Sequence, residues 1–397
     1  MRMFKCYYIT NKMTTKLNVL QVIPKLGYGG AETGCYDIAH FLAENDCGSF
    51  LATSGGALLK FVKKDKVKLI RLPVHSKNPL LILFNTLVLI IYIFLFKINI
   101  IHARSRAPAW SCYFASIITR KVFVTTFHGT YNFKSNLKKF YNSVMLRAKL
   151  TIAGSNFIFG HINENYSEYL NKEKKLRVIF RGINIDYFNP KNISILKQEK
   201  LKQEWGLSSN NFTLLLPGRL TYWKGQEKFI DALNILIEDF NITHFQAIIL
   251  GSDQGRKVYS KKLINLVQRY SLNKKIKFIP HCNEMPLAYS LADVVVSSSI
   301  EPEAFGRVSV EAQSMGKPIV ASNIGGSKET IINKKTGFLY KHDDPRELAK
   351  ILNTVIQLSQ DELKLIGNEG RKNITKKFDV ETMCQSNLKE YKRLIKN

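Results

Sequence analysis

The chain has 397 residues, 45% of them hydrophobic, and 59 Lys and Arg against 31 Asp and Glu give a net charge of +28. That length fits two domains rather than one, and the composition excludes collagenous, low-complexity and disordered classes. The basic excess points to an anionic partner: nucleic acid, a phosphorylated small molecule or an anionic membrane surface.

Residues 1–16 are basic but have neither a long apolar core nor a small-residue cleavage site, so they read as an N-terminal extension and not a signal peptide. Met13 is an alternative start, because the first strand follows it closely. Strand-like runs then come in order: LNVLQVI (17–23), SFLATS (49–54), VKLIRLPV (67–74), INIIHARS (98–105), VFVTTFHG (122–129), LTIAGS (150–155) and LRVIFRG (176–182). Helix-like segments such as AETGCYDIAHFLAEN and NFIFGHINENYSEYL separate them. Near-continuous apolar strands alternating with helices predict a parallel sheet covered on both faces. The apolar segment 79–103 approaches the roughly 20 residues of a membrane-spanning helix. Asn85, Thr86 and Lys97 interrupt or end it, so a buried or membrane-surface helix is expected instead.

The charged stretch PKNISILKQEKLKQEWG (190–206) reads as the join, after which the pattern restarts. FTLLLPGRL, FQAIILGS, KIKFIP, ADVVVSSS and PIVASN read as five more strands. The expectation is an α/β chain of two doubly wound domains, 17–195 and 196–375, with ligands held at the carboxyl ends of the strands in a cleft between them. The closing helical segment, 376–397, has no strand after it. The six cysteines are scattered without a CxxC pair or zinc spacing, which fits reduced thiols in a cytoplasm.

Five clusters carry candidate chemistry. In PKLGYGGAETG, Gly29 and Gly30 open a helix, where small residues and free N–H groups let a phosphate or sugar approach the backbone. A dinucleotide fingerprint fails, because its third glycine position is Glu32, and a tight turn is the structural alternative. No Walker A sequence occurs. His128, in TFHGTY, follows a strand, where a structural hydrogen bond and a catalytic role are both open. Arg104 and Arg106 end the preceding strand and suit either an anion or a surface ion pair. Arg219 and Lys224, in LPGRLTYWKG, are two cations near a helix start; they oppose the macrodipole unless a diphosphate lies between them. No Asp-x-Asp pair exists, so a divalent metal held by that motif is not expected, and the cations would neutralise charge instead. In EPEAFGRVSVE, Glu303 lies in a loop, Gly306 starts a helix and Glu311 flanks its apolar stripe. Two carboxylates beside the Phe305 and Gly306 amides suit a ligand with both hydroxyls and phosphates, a nucleotide sugar.

The run EAFGRVSVEAQSMGKPIVASNIGGSKET, with Gly325, Gly326 and Glu329, resembles the Glu-x7-Glu signature of family 4 of the retaining glycosyltransferases, which have the GT-B fold. GGAE near the start, HG in the first half, GR…KG in the second and RGINIDYFNP also match, in order, from about Leu17 to Tyr340. The resemblance implies that Glu303 contacts donor sugar hydroxyls and Glu311 the ribose. Arg219 and Lys224 would bind the diphosphate, Gly29 and Gly30 the phosphate or acceptor, and His128 would sit next to the transferred sugar. It also implies front-face transfer without a protein nucleophile, and a C-terminal helix crossing back onto the first domain. Asn184 stands where the family often has Asp, and Arg181 where it usually has Asn.

The expected function is therefore a retaining, metal-independent glycosyltransferase with no cofactor. Its donor would be a UDP-, GDP- or ADP-linked sugar and its acceptor a glycan or lipid-linked glycan such as a lipopolysaccharide core. It would work in the cytoplasm, peripheral on the inner face of the membrane and attracted to its anionic surface. The rivals are a sugar-nucleotide epimerase of the same fold and a basic nucleic-acid-binding protein, which would have no use for the Glu pair.

Overall fold

The structure, a computed structural model, describes residues 16–170 and 175–396. Met13, Cys6 and all of the expected N-terminal extension except Lys16 lie outside the described residues. Strands β1 (Asn18–Val22), β2 (Gly48–Thr53), β3 (Val67–Arg71), β4 (Ile100–Ala103), β5 (Val122–Phe127), β6 (Leu150–Ala153) and β7 (Lys175–Val178) form one sheet in the order β3-β2-β1-β4-β5-β6-β7. Strands β8 (Phe212–Pro217), β9 (Phe245–Leu250), β10 (Ile276–Ile279), β11 (Val294–Ser297), β12 (Ile319–Ser322) and β13 (Phe338–Tyr340) form the other, in the order β10-β9-β8-β11-β12-β13. Both sheets are parallel, as in β1 with β2 and β4 and in β8 with β9 and β11. Each therefore has a topological switch point, beside β1 and β4 in the first and beside β8 and β11 in the second.

The first half carries α1 (Gly30–Glu44), α2 (Pro79–Leu95), α3 (Arg106–Thr119), α4 (Asn136–Ser143) and α5 (Asn156–Tyr166). The second carries α6 (Ile195–Glu204), α7 (Gln226–Glu238), α8 (Lys257–Arg269), α9 (Met285–Ser290), α10 (Arg307–Ser314) and α11 (Ser327–Thr330). Helices α12 (Pro345–Ile356), α13 (Gln360–Lys377) and α14 (Val380–Lys396) close the chain. Two compact units emerge from chain contacts: one runs to Thr125 and includes the chain from Leu388, and the other is Thr126–Asn387.

One local expectation is corrected. The second sheet has six strands rather than five, because β13 is only three residues long and too short to show an apolar run. The charged stretch 190–206, read as the join, carries α6: Ser194 caps that helix, its side chain accepting from Lys197 N at 3.4 Å, and Trp205 is buried in the second core.

Strand alternation distributes the core of the second sheet between two layers. Leu214, Leu216, Ala247, Ile249, Val294 and Val296 face α7, α8 and α12. Leu215, Ile248, Leu250, Val295, Ile319 and Ala321 face the other way, against residues of α9 and α10 and against Phe188 and Phe378. In the first unit, Cys35 and Ala39 of α1 pack with Leu51 and Val67. There, too, Tyr391 Oη lies 2.5 Å from His102 Nδ1, and Arg104 donates through Nε, at 3.0 Å, and Nη2 to Gln21 Oε1. The apolar segment expected to be a helix is α2; no helix among the described residues is long and apolar enough to cross a membrane.

Candidate functional site

The residues that follow β8 and β11 meet at the switch point of the second sheet. After β8 the chain turns through Gly218, exposes Arg219 and folds Tyr222–Lys224 into a single 3-10 turn before α7. Gly225 caps α7 with φ +68°, and a Cβ there would come 1.9 Å from Ser298 O, so only glycine fits. Ser298 Oγ stands 3.0 Å from Lys224 O and 2.9 Å from Gly225 O, and Ile300 N donates to Trp223 O at 2.9 Å. These bonds stitch the lysine loop to the segment after β11.

That stitching brings Lys224 Nζ to 2.7 Å from Glu303 Oε1, with both side chains nearly buried at 12% and 11% exposure. Ser299 Oγ donates to the same oxygen at 2.6 Å. Burial pushes the Glu303 carboxyl up, but the Lys224 charge and hydrogen bond, the Ser299 hydrogen bond and the Arg219 charge outweigh it and hold the group below its ordinary value. Glu303 is thus ionised at neutral pH, with Oε2 left to accept from a third donor. Lys224 Nζ also lies 4.6 Å from the Trp223 ring centroid.

The loop after Glu303 is fixed from the opposite side. Gly326 N donates to Glu303 O at 2.8 Å, and Cβ atoms on Gly325 or Gly326 would come 2.5 Å from Glu303 O and 2.4 Å from Phe305 C. The paired glycines therefore belong to the acidic loop by close approach. Phe305 is buried against Phe378, and Gly306 caps α10 with φ +78°. Glu311, on α10, is also buried; Tyr289 Oη donates to its Oε2 at 2.7 Å and Arg307 Nε pairs with its Oε1. Burial, then the Glu311 charge, raises the Tyr289 hydroxyl well above its ordinary value, so it remains a donor.

His128, just past β5, pairs with Arg181: Nη2 of the guanidinium lies 2.8 Å from His128 Nδ1 and 2.9 Å from its carbonyl. A guanidinium can only donate, so Nδ1 accepts and the ring is the neutral Nε2–H tautomer. Arg181 N in turn donates to Gly154 O at 3.3 Å. One residue on, Ser155 Oγ donates to Ala304 O at 2.5 Å, next to Glu303. Glu329 accepts from Asn156 N at 2.8 Å and Phe157 N at 2.6 Å, at the start of α5. His128 is thereby joined to the acidic loop by a run of hydrogen bonds.

The structure brings Arg219, Lys224, Glu303, Phe305, Gly306 and Glu311 together, with His128 on the adjoining network. Gly29 and Gly30 belong to the other unit, where Gly29 caps α1 without a side-chain bond. Sequence reasoning assigned Lys224 and Glu303 to separate partners, whereas the structure pairs them. It missed Ser298, Ser299, Trp223, Tyr289 and Arg307 as supports. The serines at the end of the apolar run VVVSSS were the one legible signal, since hydroxyls that continue a buried strand need hydrogen-bond partners. Both departures from the family pattern acquire roles: Arg181 orients His128, and Asn184 Oδ1 accepts from Asp186 N at 3.1 Å and Tyr187 N at 2.8 Å to close a turn.

The model for glycosyl transferases group 1 matches residues 197–373, and that for glycosyltransferase family 4 matches 28–187. A crystal structure of a glycosyltransferase from Rickettsia africae is 36% identical, with a TM-score of 0.88, covering 96% of this chain and 100% of that one. The HepE protein of Anabaena, solved with UDP and glucose, is 26% identical with a TM-score of 0.80 over 95% of this chain and 100% of that one. The capsular polysaccharide biosynthesis glycosyltransferase CapM of Staphylococcus aureus is 26% identical over 235 residues, 56% of this chain and 58% of that protein. The chain matches about half the length of such curated relatives, 54% of a glycosyltransferase of Methanocaldococcus jannaschii among them. By both family models and by its likeness to the Rickettsia structure, the chain belongs to the group 1, family 4 glycosyltransferases with the GT-B fold.

Proposed function

We propose that this chain transfers a sugar, with retention of anomeric configuration and without a metal ion, from a nucleotide-diphosphate sugar to a glycan or lipid-linked acceptor of the cell envelope, such as a lipopolysaccharide core. It does so in the cytoplasm, peripheral on the inner face of the membrane. The observation that carries the reading is the Lys224–Glu303 pair with Arg219 beside it at the β8/β11 switch point. Arg219 and Lys224 take the diphosphate, and Glu303 Oε2 accepts from a sugar hydroxyl. Glu311 serves the ribose, and the Phe305 and Gly306 amides flank the phosphates. Gly29 and Gly30 admit the phosphate or acceptor, and His128 borders the transferred sugar. In the transfer, the bond from the anomeric carbon to the diphosphate breaks and one to the acceptor oxygen forms. The acceptor proton passes to the leaving phosphate, whose growing charge the two cations stabilise. The HepE complex with UDP and glucose supports a nucleotide sugar as donor, and the name of CapM supports an envelope glycan as acceptor.

The test is a thermal-shift screen of UDP-, GDP- and ADP-sugars, since a ligand at a hundredfold its Kd stabilises by about 2.7 kcal/mol. Product analysis follows, with and without EDTA. Transfer to an acceptor that survives chelation is expected, because no Asp-x-Asp pair is present. A new free sugar nucleotide without acceptor would show an epimerase, and loss on chelation restored by magnesium or manganese would remove metal independence.

A further inference from the structure

Helix α2 is built inside out. Its polar side chains Asn85 and Thr86 are buried with Leu89 and Ile93. Asn85 Nδ2 donates to Pro73 O at 3.3 Å, Thr86 Oγ1 donates to Ile82 O at 2.8 Å, and Ser111 Oγ of α3 donates to Ile82 O at 3.1 Å. The outward stripe, at helical spacing, is Leu80, Phe84, Leu87, Ile91 and Phe94, each at least half exposed. The neighbouring helix α3 extends it with Phe114, Ile117 and Ile118, also exposed. A helix facing water has the reverse arrangement, with its apolar stripe toward the core. So large a contiguous apolar face is not left to water without a partner.

The charge around the face identifies the partner. Between Asp65 and Glu164 the sequence has no Asp or Glu, and Lys and Arg are the only charged residues of that stretch. Exposed Lys77 and Lys97 bracket α2, exposed Arg120 ends α3, and exposed Lys68 places its Nζ 3.9 Å from the Phe96 ring centroid. A second copy of the chain would set this all-cationic rim against itself. An anionic lipid surface complements it, taking the stripe among its acyl chains and the cations among its headgroups. At 17 residues, α2 is about 25 Å long, short of the roughly 30 Å hydrocarbon core, so it lies along the bilayer rather than crossing it.

We propose that the outward face of α2 and α3 is a membrane-docking surface that inserts into an anionic lipid bilayer. The inference rests on the membrane-facing part of the function proposed above and names the surface that would serve it. Full-length protein is sedimented with phosphatidylcholine vesicles, with and without phosphatidylglycerol, alongside a Phe84→Gln/Ile91→Gln variant and a Lys77→Gln/Lys97→Gln variant. Phe84, Ile91, Lys77 and Lys97 are all exposed, outside the core, and thermal melting is used to check that both variants fold. Wild type should bind the anionic vesicles at least tenfold better than the neutral ones and retain part of that binding at 0.5 M salt. The apolar variant should lose at least tenfold and keep nothing at high salt; the lysine variant should weaken binding mainly at low salt. Absence of vesicle binding by wild type overturns the proposal, as does undiminished binding by the apolar variant. A concentration-dependent dimer that the apolar variant abolishes, without vesicle binding, assigns the face to a second copy instead. The UDP-glucose thermal shift is read on the same samples: a protein that docks but binds no nucleotide sugar defeats the proposed function and leaves this surface standing.

Discussion

Lys224 and Glu303, 79 positions apart in sequence, form a nearly buried ion pair with Nζ 2.7 Å from Oε1. Removing one partner of such a pair leaves the other charge buried without compensation, so single and double substitutions should not add. Lys224→Met and Glu303→Gln are each expected to destabilise by about 1.5–3 kcal/mol, and the double variant by clearly less than their sum. Urea denaturation of the four proteins checks this; additive losses would mean the pair is not coupled.

Glu303 also sets a pH dependence. Its folded-state carboxyl lies below the ordinary 4.5, so its contribution is present above that value and is lost as pH falls through the lowered one. The stability gap between wild type and Glu303→Gln should therefore hold from pH 7 to about 5 and close at lower pH. A gap that widens on acidification would contradict the assignment.

If Arg219 and Lys224 stabilise the leaving diphosphate, their charges act more strongly in the transition state than on the bound donor. Arg219→Ala and Lys224→Ala should each lower kcat by about a hundred- to a thousandfold, with a smaller change in donor affinity. Lys224→Arg should rescue poorly, because Glu303 and Trp223 confine a compact ammonium rather than a planar fork. Near-normal kcat at saturating donor would reduce the pair to a binding role.

Arg181 holds His128 in one tautomer. In the 15N spectrum of the imidazole, wild type should show an unprotonated Nδ1 and a protonated Nε2. Arg181→Ala should give averaged signals from both tautomers, and Arg181→Lys an intermediate pattern because a single ammonium cannot span Nδ1 and the carbonyl together. An unchanged spectrum in Arg181→Ala would show that another group sets the tautomer.

Burial, with the Arg104 charge adding to it, pushes the His102 imidazole well below its ordinary 6.5. The unfolded chain then binds a proton that the folded one refuses, so His102 lowers stability as pH falls below 6.5, by up to about 1.4 kcal/mol per pH unit. The wild-type melting temperature should decline from pH 7 to 5, and His102→Gln should decline less steeply whatever its absolute stability. Equal slopes would place the acid sensitivity elsewhere, for example at His40 or His161, whose imidazoles burial also lowers.

The sequence by itself determined the two-sheet α/β architecture, because apolar strands separated by helices can bury both faces only in parallel sheets. Local chemistry likewise marked Gly306 at a helix start, put Arg219, Lys224 and Glu303 on loops that follow strands, and put Glu311 beside the apolar stripe of the helix after Gly306. Tertiary structure alone decided which of them touch. Lys224 reaches Glu303 only because β8 and β11 are neighbours in the sheet, and strand order is not encoded in the periodicity of any one strand. Arg181 reaches His128, and Glu329 the start of α5, across separations of 53 and about 170 residues. Those contacts depend on how elements pack, which composition and spacing leave open. The same holds for α2: its apolar run is plain in the sequence, but only the packing of the helix showed that Asn85 and Thr86 face inward with Leu89 and Ile93 while Leu80, Phe84, Leu87, Ile91 and Phe94 face out.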